Sequence, residues 1–137
     1  MSWQFARFLI VGVINTFTGI SVIYLMKYLL SAGDVLANAV GYCIGLCVSF
    51  VLNRKWTFRH DGKVWPSAIK FILVFFVAYA TNLAVVMISI HWVGIDSYIA
   101  HLVGMPPYTV VFFLLCQYFV FPNQGGILDL KQLSSSR

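Results

Sequence analysis

Charge is what this chain has least of. Only 9% of its 137 residues are charged, where a soluble globular domain carries roughly 25%. Hydrophobic residues make up 61%, so too little polar surface remains to solvate a large soluble core. The composition therefore reads as an integral membrane protein. Acidic residues number four, Asp34, Asp61, Asp96 and Asp129. All fall outside or at the ends of the apolar runs, which leaves no carboxylate at the bilayer centre for a proton or sodium relay. The three cysteines, Cys43, Cys47 and Cys116, lie inside apolar runs and imply no disulfide framework. The other ligand types and spacings of a metal or redox site are missing. No nucleotide loop is present and no nucleophile–base constellation is visible, so neither a cofactor nor a catalytic role is expected. Cleavage of a signal peptide is not expected either, because no small-residue site follows a short apolar core.

What is present is four apolar runs, read as spans over about 7–30, 35–57, 68–92 and 98–121 of a single transmembrane domain, 1–137. Each is long enough to cross about 30 Å of hydrocarbon at about 1.5 Å per residue. The fold class is all-α, with four transmembrane helices. The stretch Ala37–Phe58 organises the chain: Asn38, Gly41, Gly45, Ser49 and Asn53 recur at spacings of three or four, which puts them on one helix face. Such a seam of small and polar side chains packs against another helix in lipid. Gly12, Asn15, Thr16 and Gly19 share a face of the first span, and Ala78, Thr81, Asn82, Val85 and Ser89 share one on the third.

The connections are short. Residues 31–34 read as a turn in which Gly33 supplies flexibility and Asp34 caps the next helix. Residues 59–67, RHDGKVWPS, read as a polar loop at headgroup level. Pro106 and Pro107 predict a kink or irregular first turns in the fourth span. The tail, 122–137, reads as polar and partly disordered. Arg7, Arg54, Lys55, Arg59, Lys63, Lys70, Lys131 and Arg137 gather on one side and only Lys27 on the other. The positive-inside rule then places both termini and the middle loop in the cytoplasm. The net charge of +5 is thus an orientation signal, not one for nucleic acid.

The two halves align without gaps at an offset of 63 residues. Arg7-Phe8 pairs with Lys70-Phe71, Thr18 with Thr81, Val40-Gly41 with Val103-Gly104, and Phe58 with Phe121. An internal duplication follows, with two parallel two-helix repeats of one orientation. The pairing breaks where Asn53-Arg54-Lys55 meets Cys116-Gln117-Tyr118, where Asn38 meets His101 and where Gly19 meets Asn82. The frame is symmetric but its furnishing is not.

RFLIVGVINT in the first span and LANAVGYCIGLCVSFVLNRKWTF through the second resemble the GtrA-like family of small four-span membrane proteins. The resemblance covers nearly the whole chain. It rests on Gly12, Asn15 and Thr16 together with Ala37-Asn38, Ser49-Phe50 and Asn53 to Phe58. Cys116 and Gln117 depart from the asparagine and basic residue often found at the end of the fourth span. Membership implies work on cell-surface polysaccharide or O-antigen in a bacterial plasma membrane. The family's best-known members are proposed to flip polyprenyl-phosphate-linked sugar, typically undecaprenyl-phosphate glucose, from the inner to the outer leaflet. The alternative is a membrane anchor or assembly factor for a glycosyltransferase of the same pathway.

The residues fit that chemistry. Arg7, Arg54, Lys55, Arg59 and Lys70 fall where an inner-leaflet phosphate would lie, although Arg54 and Lys55 read equally well as a topology signal. Asn15, Thr16, Asn38, Ser49, Asn53, Thr81, Asn82 and Gln117 offer a polar cleft with neutral hydrogen bonds for sugar hydroxyls. Asn82 reads more readily as interhelical glue. Four short spans enclose little volume, so a homo-oligomer is expected, with the small-residue seams of spans one and two as contacts.

Overall fold

A computed structural model describes residues 2–31 and 33–122. Among them every regular element is helical, and four helices are long and apolar enough to cross a membrane. Lipid offers no partners to backbone polar groups, and a helix satisfies them within itself. The chain divides into two helical hairpins, one ending at Asp61 and one starting at Gly62.

In the first hairpin, α1 (Ser2–Leu30) packs against α2 (Asp34–Leu52), which runs on into a five-residue π-turn, Asn53–Thr57. The second hairpin pairs α3 (Val64–His91) with α4 (Ser97–Leu115), followed by a second π-turn, Cys116–Val120. The offset of 63 recurs in these bounds: α4 begins and ends 63 residues after α2 (97 − 34, 115 − 52), and the π-turns match likewise. It recurs in contacts as well. Phe8 meets Phe58 at 6.3 Å between ring centroids, and Phe71 meets Phe121 at 6.2 Å. The Arg7 guanidinium lies 5.6 Å from the Trp56 ring, and the Lys70 ammonium lies 5.0 Å from the Phe119 ring.

Several local expectations change. Helix α1 begins at Ser2, so Trp3 and Gln4 belong to it. Val64 to Ser67 form the first turn of α3, which shortens the polar connection. Pro66 is tolerated there because its missing N–H is one that a first turn leaves unpaired, and the Ser67 hydroxyl donates to the Lys63 carbonyl at 2.9 Å. Asp34 does not cap α2. Gly33 holds the cap position with an extended backbone, and the Asp34 carboxylate pairs with Lys27. Ser31 of that turn has a left-handed backbone, at φ 48°. Helix α4 runs unbroken through Pro106 and Pro107, and the departure from α geometry comes after Leu115. Beyond Pro122, the tail with Lys131 and Arg137 lies outside the described residues.

The seam on α2 is used inside its own hairpin. Gly41, Gly45, Ser49 and Asn53 are buried, so this seam is covered and is not an open contact face for a second copy.

Candidate functional site

The first hairpin buries several of its polar groups between its helices: Ser49, Asn53, Thr57 and the Asn15 side-chain oxygen. Helices α1 and α2 approach so closely at Gly41 that a Cβ there would lie 2.5 Å from Ile23 Cγ1 and 3.0 Å from the Gly19 carbonyl oxygen. One turn further along, a Cβ on Gly45 would lie 2.6 Å from Asn15 Oδ1. Glycine at both places lets the helices meet, and at Gly45 it makes room for the asparagine amide. Asn15, Thr16, Gly19, Ile20 and Ile23 of α1 and Gly41, Tyr42 and Gly45 of α2 line a groove of about 230 Å³. Asn15 Oδ1 is buried there without a hydrogen-bond partner. The Thr16 hydroxyl donates to the Gly12 carbonyl at 3.0 Å. Burying an amide in apolar surroundings without a partner costs free energy, so Asn15 is a poor choice for packing alone.

Further along the same face, Asn53 Nδ2 donates to Ser49 Oγ at 3.2 Å. Asn53 and Thr57 are each 1% exposed, and Asn53 Oδ1 and Thr57 Oγ1 are left without partners. The π-turn explains their shared burial. The Phe58 N–H reaches back five residues to the Asn53 carbonyl at 2.9 Å, which widens the last turn and keeps both residues on the inner face.

Arg7 closes this end. Its Nη1 donates to the Trp56 carbonyl at 3.1 Å, and its guanidinium lies 5.4 Å from the Trp3 ring and 5.6 Å from the Trp56 ring. Carbonyls at a helix C-terminus lack intrahelical donors and carry partial negative charge, so a cation from α1 is well placed to cap α2. Nε of Arg7 is buried without a partner. Arg54 is half-buried, whereas Lys55 and Arg59 are exposed, and Arg59 has a left-handed backbone, φ 49°. Arg7→Ala should destabilise the hairpin by about 1–2 kcal/mol through the lost cap and indole stacking, and Arg7→Lys should restore only part of this. Thermal unfolding in micelles, read beside tryptophan emission, checks both.

The second hairpin has the same frame with a different filling. Ala78 stands where Asn15 would be, Phe112 for Ser49, Cys116 for Asn53 and Val120 for Thr57. Phe71, Phe75, Tyr108 and Phe112 form an aromatic cluster. Asn82 fills the space that Gly19 leaves open in the first hairpin: its Nδ2 lies 2.6 Å from where a Gly104 Cβ would be. The Thr81 hydroxyl donates to the Val77 carbonyl at 3.0 Å, and Gln117 Oε1 is buried without a partner.

The thirteen residues singled out in the sequence thus separate into groups. Asn15 and Thr16 line the groove. Ser49 and Asn53 pair beside the π-turn, with Arg7, Arg54, Lys55 and Arg59 around that end of the hairpin. Asn38 is exposed and donates to the Asp34 carbonyl at 2.8 Å, away from the groove lining. Lys70, Thr81, Asn82 and Gln117 belong to the second hairpin. Thr57, Trp3 and Trp56 complete the first hairpin's set and were not singled out as site residues. Thr57 was within reach, because it extends the series Gly41, Gly45, Ser49, Asn53 by four more residues.

The comparisons with known proteins bear on the whole chain. No curated protein matches it. A family model described as GtrA/DPMS, transmembrane domain, matches residues 7–121, from the capping arginine through the last residue of the second closing aromatic pair. The chain belongs to the GtrA/DPMS transmembrane-domain family.

Proposed function

We propose that this multi-pass membrane protein flips polyprenyl-phosphate-linked sugar, with undecaprenyl-phosphate glucose as the first candidate, from the inner to the outer leaflet of a bacterial plasma membrane. Family membership supports the coarser statement, a membrane protein related to polyprenyl-phosphate-sugar translocation. The observation that carries the finer one is the groove beside Asn15. A membrane anchor needs apolar spans and a docking surface. It has no use for a partnerless amide oxygen beside a groove of about 230 Å³ within a membrane-spanning hairpin.

In this reading both termini are cytoplasmic, and Arg54, Lys55 and Arg59 meet the phosphodiester at the inner leaflet. Arginine offers a planar fork and lysine a point charge. Arg7 positions the turn that carries them. The groove shields the hexose while the lipid tail stays in the bilayer. The chain performs no bond chemistry: a glycosyltransferase loads the lipid inside, another consumes it outside for polysaccharide or O-antigen, and that consumption drives movement downhill. A homo-oligomer supplies the enclosure that a single four-helix chain lacks.

The test is a flipping assay in proteoliposomes with polyprenyl-phosphate glucose and a probe confined to the outside. The native chain should flip the lipid, and Arg54→Gln/Lys55→Gln should slow it at least tenfold at equal insertion. No flipping above empty liposomes, with a glycosyltransferase still bound, would transfer the function to the anchor reading.

A further inference from the structure

At the end of the first hairpin, Asn53 Oδ1, Thr57 Oγ1 and Arg7 Nε are buried without a hydrogen-bond partner. The fold does not require the first two. The second hairpin builds the same π-turn, closed by the Phe121 N–H to the Cys116 carbonyl at 2.8 Å, with Cys116 and Val120 in the places of Asn53 and Thr57. A thiol and an isopropyl group suffice there. Asn53 and Thr57 are 1% exposed, so water does not compensate them as it does surface groups. Polar groups that a fold can do without, kept buried and unsatisfied, mark a place where stability is given up for function.

The donor pattern selects the ligand. One end of the Asn53 amide is taken by Ser49 Oγ, and the remaining end is a carbonyl oxygen, an acceptor. The Thr57 hydroxyl both donates and accepts, and Arg7 Nε–H donates. An unpaired acceptor such as Asn53 Oδ1 repels a phosphate oxygen. The neighbouring guanidinium repels a metal cation. A neutral hydroxyl gives its proton to Asn53 and takes one from Arg7 or Thr57. We infer that Asn53, Thr57 and Arg7 Nε form a subsite for a sugar hydroxyl of the lipid headgroup, separate from the charges that meet its phosphate. This rests on the translocase reading and adds the group that separates a glycosylated lipid from a bare one.

The experiment compares binding of polyprenyl-phosphate glucose and of bare polyprenyl phosphate to the chain in phosphatidylcholine nanodiscs, by native mass spectrometry. The variant is Asn53→Cys/Thr57→Val, which copies the second hairpin's residues. The native chain should prefer the glucosylated lipid by about tenfold or more, the size of one or two hydrogen bonds. The variant should bind both lipids alike, as tightly as the native chain binds the bare one, with a thermal midpoint unchanged or raised. A variant that keeps the preference overturns the subsite, as does one whose midpoint falls while it loses both lipids in parallel. If the double variant does not fold, Thr57→Val and Thr57→Ser decide: preference lost in the first and kept in the second supports the subsite, and preference kept in both overturns it. Equal binding of the two lipids by the native chain overturns the subsite alone. Binding of neither overturns the translocase reading as well.

Discussion

Gly41→Leu should unfold the first hairpin at denaturant levels that leave the native chain intact, with a loss of about 2 kcal/mol or more. Neither obstacle can move aside cheaply. Ile23 Cγ1, at 2.5 Å from the new Cβ, is the first branch of a β-branched side chain, stiff at χ1 in a helix. The Gly19 carbonyl, at 3.0 Å, is backbone. Relief therefore means pushing α1 away from α2. In lipid this removes the van der Waals contact that holds a helix pair together, because no hydrophobic force between the helices replaces it. The same displacement pulls Asn15 from Gly45 and opens the groove. Titration with sodium dodecyl sulfate in mixed micelles, followed by helicity, measures the loss. A midpoint within error of the native one would mean that the close approach at Gly41 is not what joins these helices.

That contact was legible in the sequence, and the reason is physical. Small residues repeating at helical spacing have one strong use in a bilayer, close packing, and the structure buries Gly41, Gly45, Ser49 and Asn53 of the series while leaving Asn38, its first member, exposed. Their partner was not legible. A seam on one helix does not say which helix covers it, and here it is α1 of the same hairpin. The π-turns were equally hidden. They add one residue to a turn without any glycine or proline to mark it, and Asn-Arg-Lys-Trp-Thr has no composition in common with Cys-Gln-Tyr-Phe-Val. Only their recurrence at the 63-residue offset identifies them as part of the frame. Pro106 and Pro107 leave the first turns of α4 regular. Each removes a donor, but in a helix held by neighbours in a membrane such losses are tolerated, and α4 continues through both. Among the site residues, Asn53 followed from its periodicity. Arg7 was legible as a candidate for the phosphate but not as a cap: its bond to the Trp56 carbonyl joins residues 49 positions apart, and a cation near a span end does not reveal its partner.

Gly19→Leu should do the reverse of Gly41→Leu: abolish flipping, at least tenfold below native, while leaving the hairpin as stable as before. Gly19 lies across from Gly41, yet the only atom within 4 Å of a Cβ built on it is the Gly41 carbonyl oxygen, at an ordinary 3.7 Å. A side chain there meets open space, and that space is the groove. Leucine also forms helix more readily than glycine, by up to about 1 kcal/mol in soluble hosts, so no loss of α1 is expected. The second hairpin already carries this arrangement. Asn82 occupies the matching position and lies against Gly104, filling what Gly19 leaves open. Of the two hairpins, one is thus filled at this position and the other open, and Gly19 is where the space is left. Val13→Leu, on an exposed part of α1, is the matched control and should flip at the native rate. If Gly19→Leu flips as fast as that control, the headgroup does not pass through this groove, and the partnerless oxygen of Asn15 needs another explanation. If it stops flipping with an unchanged unfolding midpoint, the defect lies in the path and not in the fold, a separation that Gly41→Leu cannot provide because it damages both.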